Sequence, residues 1–117
     1  MQKTFWRILL VLYTAGILYL SLTPTPPSEG TGWDKANHAL AMALVTLLAY
    51  CAAVPSRRAL LFGGAYAAAV GVLVELLQGC CTVSRSAEWR DLAADLLGTA
   101  VVMLVLWGLR RRAKNRC

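Results

Sequence analysis

"ALLFGGAYAAAVGVLVELLQG", Ala59 to Gly79, is the stretch on which the fold turns. It runs for 21 residues with one ionisable side chain, Glu75. About 20 apolar residues in a helix cross a hydrocarbon core roughly 30 Å thick, and a helix that is apolar all round offers no face to water. Three further stretches are of comparable length: Phe5 to Leu22, Ala36 to Val54, and Trp89 to Leu109. Together they leave hardly any of the 117 residues for a soluble core. An apolar share of 58% and a mean hydropathy of +0.56 agree with lipid as the main solvent. At these lengths only helices satisfy their own backbone in a bilayer. The expected fold is all-α, a four-transmembrane-helix bundle forming a single domain over 1–117. A soluble helical protein is the alternative, and the all-round apolarity of nearly every segment speaks against it.

The first span could also be read as a cleaved signal peptide, because Lys3 and Arg7 precede its apolar run. "YLSLTPTPP" offers no Ala-x-Ala-like cleavage site, however, and the run is longer than a usual signal core.

Within the deciding stretch, Gly63, Ala67, Gly71, Glu75 and Gly79 recur every fourth residue. Small residues at this spacing form a stripe that lets another helix approach closely. Glu75 lies on that stripe and is therefore expected to point into the bundle, where an ionisable side chain is a functional candidate.

Orientation follows from basic residues, which are retained on the cytoplasmic side of short loops. With the N-terminus inside, nine basic residues fall inside (Lys3, Arg7, Arg57, Arg58, Arg110, Arg111, Arg112, Lys114 and Arg116) and three outside (Lys35, Arg85 and Arg90). The expected topology places both termini in the cytoplasm. All six acidic residues, Glu29, Asp34, Glu75, Glu88, Asp91 and Asp95, then lie in the outer half. This split accounts for the net charge of +6 without a nucleic-acid partner. "RRRAKNRC" directly after a span is a topology anchor that also meets anionic lipid, and no nucleic-acid motif accompanies it.

"TPTPPSEGTG" ends the first span, since proline lacks the amide proton a helix needs. "PSRR", Pro55 to Arg58, is a tight turn that makes the second and third helices antiparallel neighbours. "GCCTVSRSAE" reads as the second outer loop, with Ser86 as an N-cap and Glu88 beside the positive end of the helix dipole.

Polar residues gather where three spans meet this outer side. Asp34 and His38 are four apart on one face with Lys35 alongside; Glu75 and Gln78 are three apart; Asp91 and Asp95 are four apart with Gly98 near the same face. At about 1.5 Å per residue Asp95 lies roughly 9 Å inside its helix. Several ionisable groups at one depth need mutual pairing or a wet cavity, so these residues and Arg85 are expected to line one outward-facing pocket. That pocket has three readings. It can be a structural ion-pair network. It can be a binding or catalytic site for a phosphate-bearing or polar lipid headgroup, with Lys35 and Arg85 clamping anions and the carboxylates acting as acid, base or acceptor. It can be a divalent-metal site using His38 and carboxylates, although no closely spaced ligand motif is present. No metal or other cofactor is expected from the sequence, and no catalytic residue is assigned, because Ser84 and Ser86 have no assigned base.

The same residues resemble a known pattern. "SLTP", "DKANH", "ELLQ" and "RSAEWRDLAADLLG" are similar to the VanZ-like family of small bacterial integral membrane proteins, whose pattern is D-K-x-x-H, E-x-x-Q, R and D-x-x-x-N-x-x-G across four spans. Asp34, Lys35, His38, Glu75, Gln78, Arg85, Asp91 and Gly98 fall at its positions in order and spacing. Asp95 stands where the family often has asparagine, which leaves open whether that position uses a charge or only a short polar group. The resemblance implies a protein of the bacterial cytoplasmic membrane. The family takes its name from a member associated with resistance to a glycopeptide antibiotic. The partners it suggests are membrane lipid, a lipid-linked envelope precursor or a lipophilic glycopeptide. A membrane enzyme modifying a lipid-linked headgroup at the outer leaflet is the alternative.

Of four cysteines, Cys51 and Cys117 fall on the cytoplasmic side, where thiols stay reduced. Cys80 and Cys81 are neighbours assigned to the outer loop, where they read as incidental thiols or an intermolecular link; acylation is open to all four.

Overall fold

The computed structural model of the chain describes residues 1–23, 33–81 and 89–116; the side chains of Trp33 and Asp34 lie outside the description. Four helices account for nearly all of it: α1 (Gln2–Leu22), α2 (Trp33–Ala53), α3 (Ala59–Cys81) and α4 (Trp89–Asn115). Each is long and apolar enough to cross a membrane. This is a multi-pass, all-α membrane protein.

The helices outrun the apolar stretches. α1 and α2 begin three residues before the spans read from hydropathy, and α4 continues to Asn115 rather than stopping near Leu109. Hydropathy marks where hydrocarbon ends, but backbone hydrogen bonding goes on wherever side chains have water to reach. α4 has Asp91 in its first turn and Arg112 and Lys114 in its last, the polarity that the helix dipole favours. Two expectations need correction at the end of α3. Cys80 and Cys81 complete its last turn instead of opening a loop, and Gly79 is exposed rather than continuing the packed stripe.

Ser56 organises the α2–α3 turn. Its hydroxyl accepts from the Arg58 amide at 3.2 Å, and its carbonyl accepts from the Ala59 amide at 3.1 Å, so the orphan amides at the start of α3 find partners. The turn is as tight as "PSRR" implied, and the two helices are antiparallel neighbours.

α2 packs against all three other helices, and α3 likewise touches each of them, whereas α1 and α4 make no approach to one another among the described residues. The bundle is correspondingly flat, 54 × 28 × 19 Å. α2 buries Met42, Val45, Thr46, Ala49 and Ala52, the three-and-four spacing of one helix face. Met42 and Val45 meet Ala67, Val70 and Val74 of α3, with Tyr13, Ile17 and Leu18 of α1 against them. Ala49 and Ala52 form a second cluster with Leu10 of α1, whose Thr14 hydroxyl lies 3.0 Å from the Tyr66 hydroxyl of α3. It is packed into the bundle, as a transmembrane helix should be.

The small-residue stripe does bring helices together. A Cβ on Gly63 would meet the Thr46 carbonyl oxygen at 3.0 Å. One on Gly71 would come within 3.3 Å of the Asp95 carboxylate. The closest crossing is elsewhere: a Cβ on Gly98 of α4 would overlap the Ala39 carbonyl of α2. α4 inverts the usual pattern, since its buried residues are Asp91, Asp95, Gly98 and Thr99 while its apolar side chains face outward. In lipid that is the arrangement expected of a helix whose polar stripe has work inside the bundle.

Candidate functional site

The end of the bundle where α1 and α3 finish and α2 and α4 begin is here called the acidic end. His38 is five residues into α2, Asp95 six into α4, and Glu75 six from the end of α3. At about 1.5 Å per residue, all three stand roughly 8–9 Å inside. The antiparallel order of the helices therefore sets residues distant in sequence at a common depth.

Burial there is nearly complete for the acids. Asp95 is 1% exposed, Gln78 3%, and Glu75 and Asp91 7% each. His38 Nδ1 is 3.2 Å from Asp95 Oδ1, and His38 Nε2 is 4.0 Å from Asp91 Oδ2. The imidazole thus lies between two carboxylates of α4. Lys35 donates from Nζ to Asp91 Oδ1 at 3.0 Å. Gln78 Nε2 donates to the Ser21 carbonyl at 3.4 Å, tying α3 to the end of α1, and the Ser21 hydroxyl donates to the Ile17 carbonyl at 2.7 Å. His38, Glu75 and Asp95 each offer a ligand-type atom, and the three atoms lie within 4.8 Å of one another. The remaining Asp95 oxygen, Oδ2, and the Thr99 hydroxyl are buried and have no hydrogen-bond partner among the described residues.

Beside this group is a cavity of about 170 Å³. Its polar lining is Asn37, His38, Gln78 and Asp95 with Ser21; Ile17, Leu20, Met42 and Val74 supply apolar wall. Every helix contributes to it.

The residues singled out from sequence divide clearly. Lys35, His38, Glu75, Gln78, Asp91 and Asp95 come together at one end, and of these His38, Gln78 and Asp95 line the cavity. Arg85, with Ser84, Ser86 and Glu88, lies outside the described residues, as does the Asp34 side chain. The Lys35 ammonium is paired with Asp91 and so supports a carboxylate of the site. The carboxylates described against His38 come from α4, a partnership that the four-residue Asp34–His38 spacing does not reveal. Sequence reasoning also missed Ser21, Asn37 and Thr99. Asn37 had a local signal, being next to His38, and Ser21 opens the quoted "SLTP"; Thr99 acquires its place from helix packing.

The chain matches no protein-family model, no curated protein and no solved structure at a significant level.

Proposed function

We propose that the protein resides in the bacterial cytoplasmic membrane with both termini inside, and that the cavity at its acidic end opens outward and holds the headgroup of an envelope lipid. The observation carrying this reading is the cavity itself: four helices converge on a space with a polar floor and apolar sides, next to ionisable groups that are costly to keep in lipid without a use. The ordered set from Lys35 to Gly98 supports kinship with the VanZ-like proteins. Cell-envelope protection, including altered glycopeptide susceptibility, is the physiological role in keeping with that kinship.

Cavity size selects among the ligands considered. Pockets for whole drug-sized molecules are about 300–1,000 Å³, so 170 Å³ suits a headgroup fragment, and a lipophilic glycopeptide would enter only by its acyl chain. The described lining carries one carboxylate, an imidazole and two amides, which suits a hydroxyl- or amine-bearing group. Binding is favoured over turnover because the Ser21 hydroxyl is spent on the Ile17 carbonyl and stands ready for no nucleophilic role.

The test uses Glu75→Gln, His38→Asn and Asp91→Asn in a deletion strain, with membrane abundance and envelope-antibiotic susceptibility scored together and lipid analysis of the purified wild type. Binding predicts normal abundance with the phenotype lost, and a lipid that co-purifies with wild type. Abundance and phenotype falling in step would return the cluster to a purely structural ion-pair network. A chemically altered lipid would mark an enzyme.

A further inference from the structure

We propose that His38, Glu75 and Asp95 bind one divalent transition-metal ion, with zinc the best fit to the donor set. The inference goes beyond the lipid reading and stands without it.

Three observations converge. The first is geometry: ligand atoms bound at about 2.0–2.1 Å around a tetrahedral ion are roughly 3.4 Å apart, and His38 Nδ1 and Asp95 Oδ1 are separated by 3.2 Å. The Glu75 carboxylate closes the triangle, with all three ligand-type atoms within 4.8 Å of one another. The second is acceptor capacity. An ionised carboxylate offers acceptors only, so burying one calls for a donor or a cation beside it. Asp95 Oδ2, buried and without a hydrogen-bond partner among the described residues, has the acceptor capacity such an ion takes up. The third is the surrounding support. A histidine ligand commonly directs its other ring nitrogen to a carboxylate that fixes its tautomer. With Nδ1 on the metal, His38 Nε2 faces Asp91 Oδ2 at 4.0 Å, and Asp91 is itself held by Lys35.

The donor set decides the class. Imidazole selects a transition metal over magnesium or calcium, while oxygen donors without thiolate suit an open zinc site. Three protein ligands leave a fourth position, and the adjoining cavity is lined by two of the three, His38 and Asp95. An anionic oxygen is the natural group to fill it, so a bound ion inverts the preference of an otherwise acidic floor.

Full-length protein, purified in detergent without a chelating column, is to be assayed for metal by mass spectrometry and titrated with Zn2+, Mn2+, Mg2+ and Ca2+. About one Zn2+ per chain is expected, with Mg2+ and Ca2+ failing to compete. Glu75→Gln and His38→Gln should weaken Zn2+ binding at least tenfold, while a variant with all four cysteines changed to serine should retain it. X-ray absorption on the wild type should show nitrogen and oxygen neighbours with one imidazole and no sulfur, a readout independent of whether any variant folds. Sulfur in the shell, loss of the ion with the cysteines, or no stoichiometric ion would overturn the site. Wild type that holds the ion without any co-purifying lipid would end the lipid reading and leave the metal site intact.

Discussion

At the residue scale, glycine positions separate contact from tolerance. Gly98 has no room for a side chain because the atom in the way is the Ala39 carbonyl, part of a helix backbone that cannot rotate aside. Gly98→Ala should therefore force α2 and α4 apart and cost about 1–3 kcal/mol, the range for overpacking a close-packed interface; a thermal or denaturant unfolding series in detergent checks it. Gly16 and Gly108 have nothing within 4 Å of an added Cβ. Alanine at either should be neutral or stabilise by up to about 1 kcal/mol through helix propensity. Because Gly98 is one turn from Asp95, its replacement should also impair whatever the acidic end binds, whereas Gly16→Ala and Gly108→Ala should not. At this scale the sequence was most informative about residue type. The spacing of Glu75, Gln78, Asp91 and Asp95 announced an inward polar face for each helix, but which carboxylate meets His38 depends on how α4 is rotated against α2, and rotation leaves no mark in local spacing.

At the element scale, α1 is the helix held most lightly. It contributes Leu10 and Ser21 as its buried residues, and its described hydrogen bonds to another helix are that between the Thr14 and Tyr66 hydroxyls and the one its Ser21 carbonyl accepts from Gln78. Interhelical hydrogen bonds in membranes average about 0.6 kcal/mol, reaching about 1.7. A double-mutant cycle of Thr14→Val and Tyr66→Phe should give a coupling energy in that range, and zero coupling would mean that the contact contributes only by packing. The existence and type of all four helices were legible because a run such as Ala59 to Gly79 has no other stable form in lipid. Their ends were not. Arg110 to Asn115 is too polar to count as span, yet it stays helical, with Arg111 stacked 4.7 Å from the Trp107 ring centre. Cys80 and Cys81, read as part of the outer loop, instead complete the last turn of α3.

For the whole molecule, polarity along the long axis is the dominant feature. Trp89 and Trp107 are 18 residues apart on α4, about 27 Å at helical rise, close to a hydrocarbon thickness. They fit opposite interfaces, with the acidic cluster below one and the arginines beyond the other. The proposed topology makes a direct prediction. Cys80 and Cys81 are exposed at the acidic end, so a membrane-impermeant thiol reagent should label them in intact cells, while Cys51, half-buried near the opposite end, should label only after lysis. The reverse pattern would turn the molecule over. One architectural detail bears on how a ligand arrives. Since α1 and α4 stand apart on either side of the α2–α3 pair, the bundle is a slab with a lateral seam, not a closed ring. Ile17 and Leu20 on one side of the cavity and Asp95 on the other come from those two separated helices. A lipid-soluble partner can thus approach by diffusing in the plane of the bilayer, and occupancy should follow its mole fraction among the surrounding lipids, falling when inert lipid is added even though its molar concentration in the tube is unchanged.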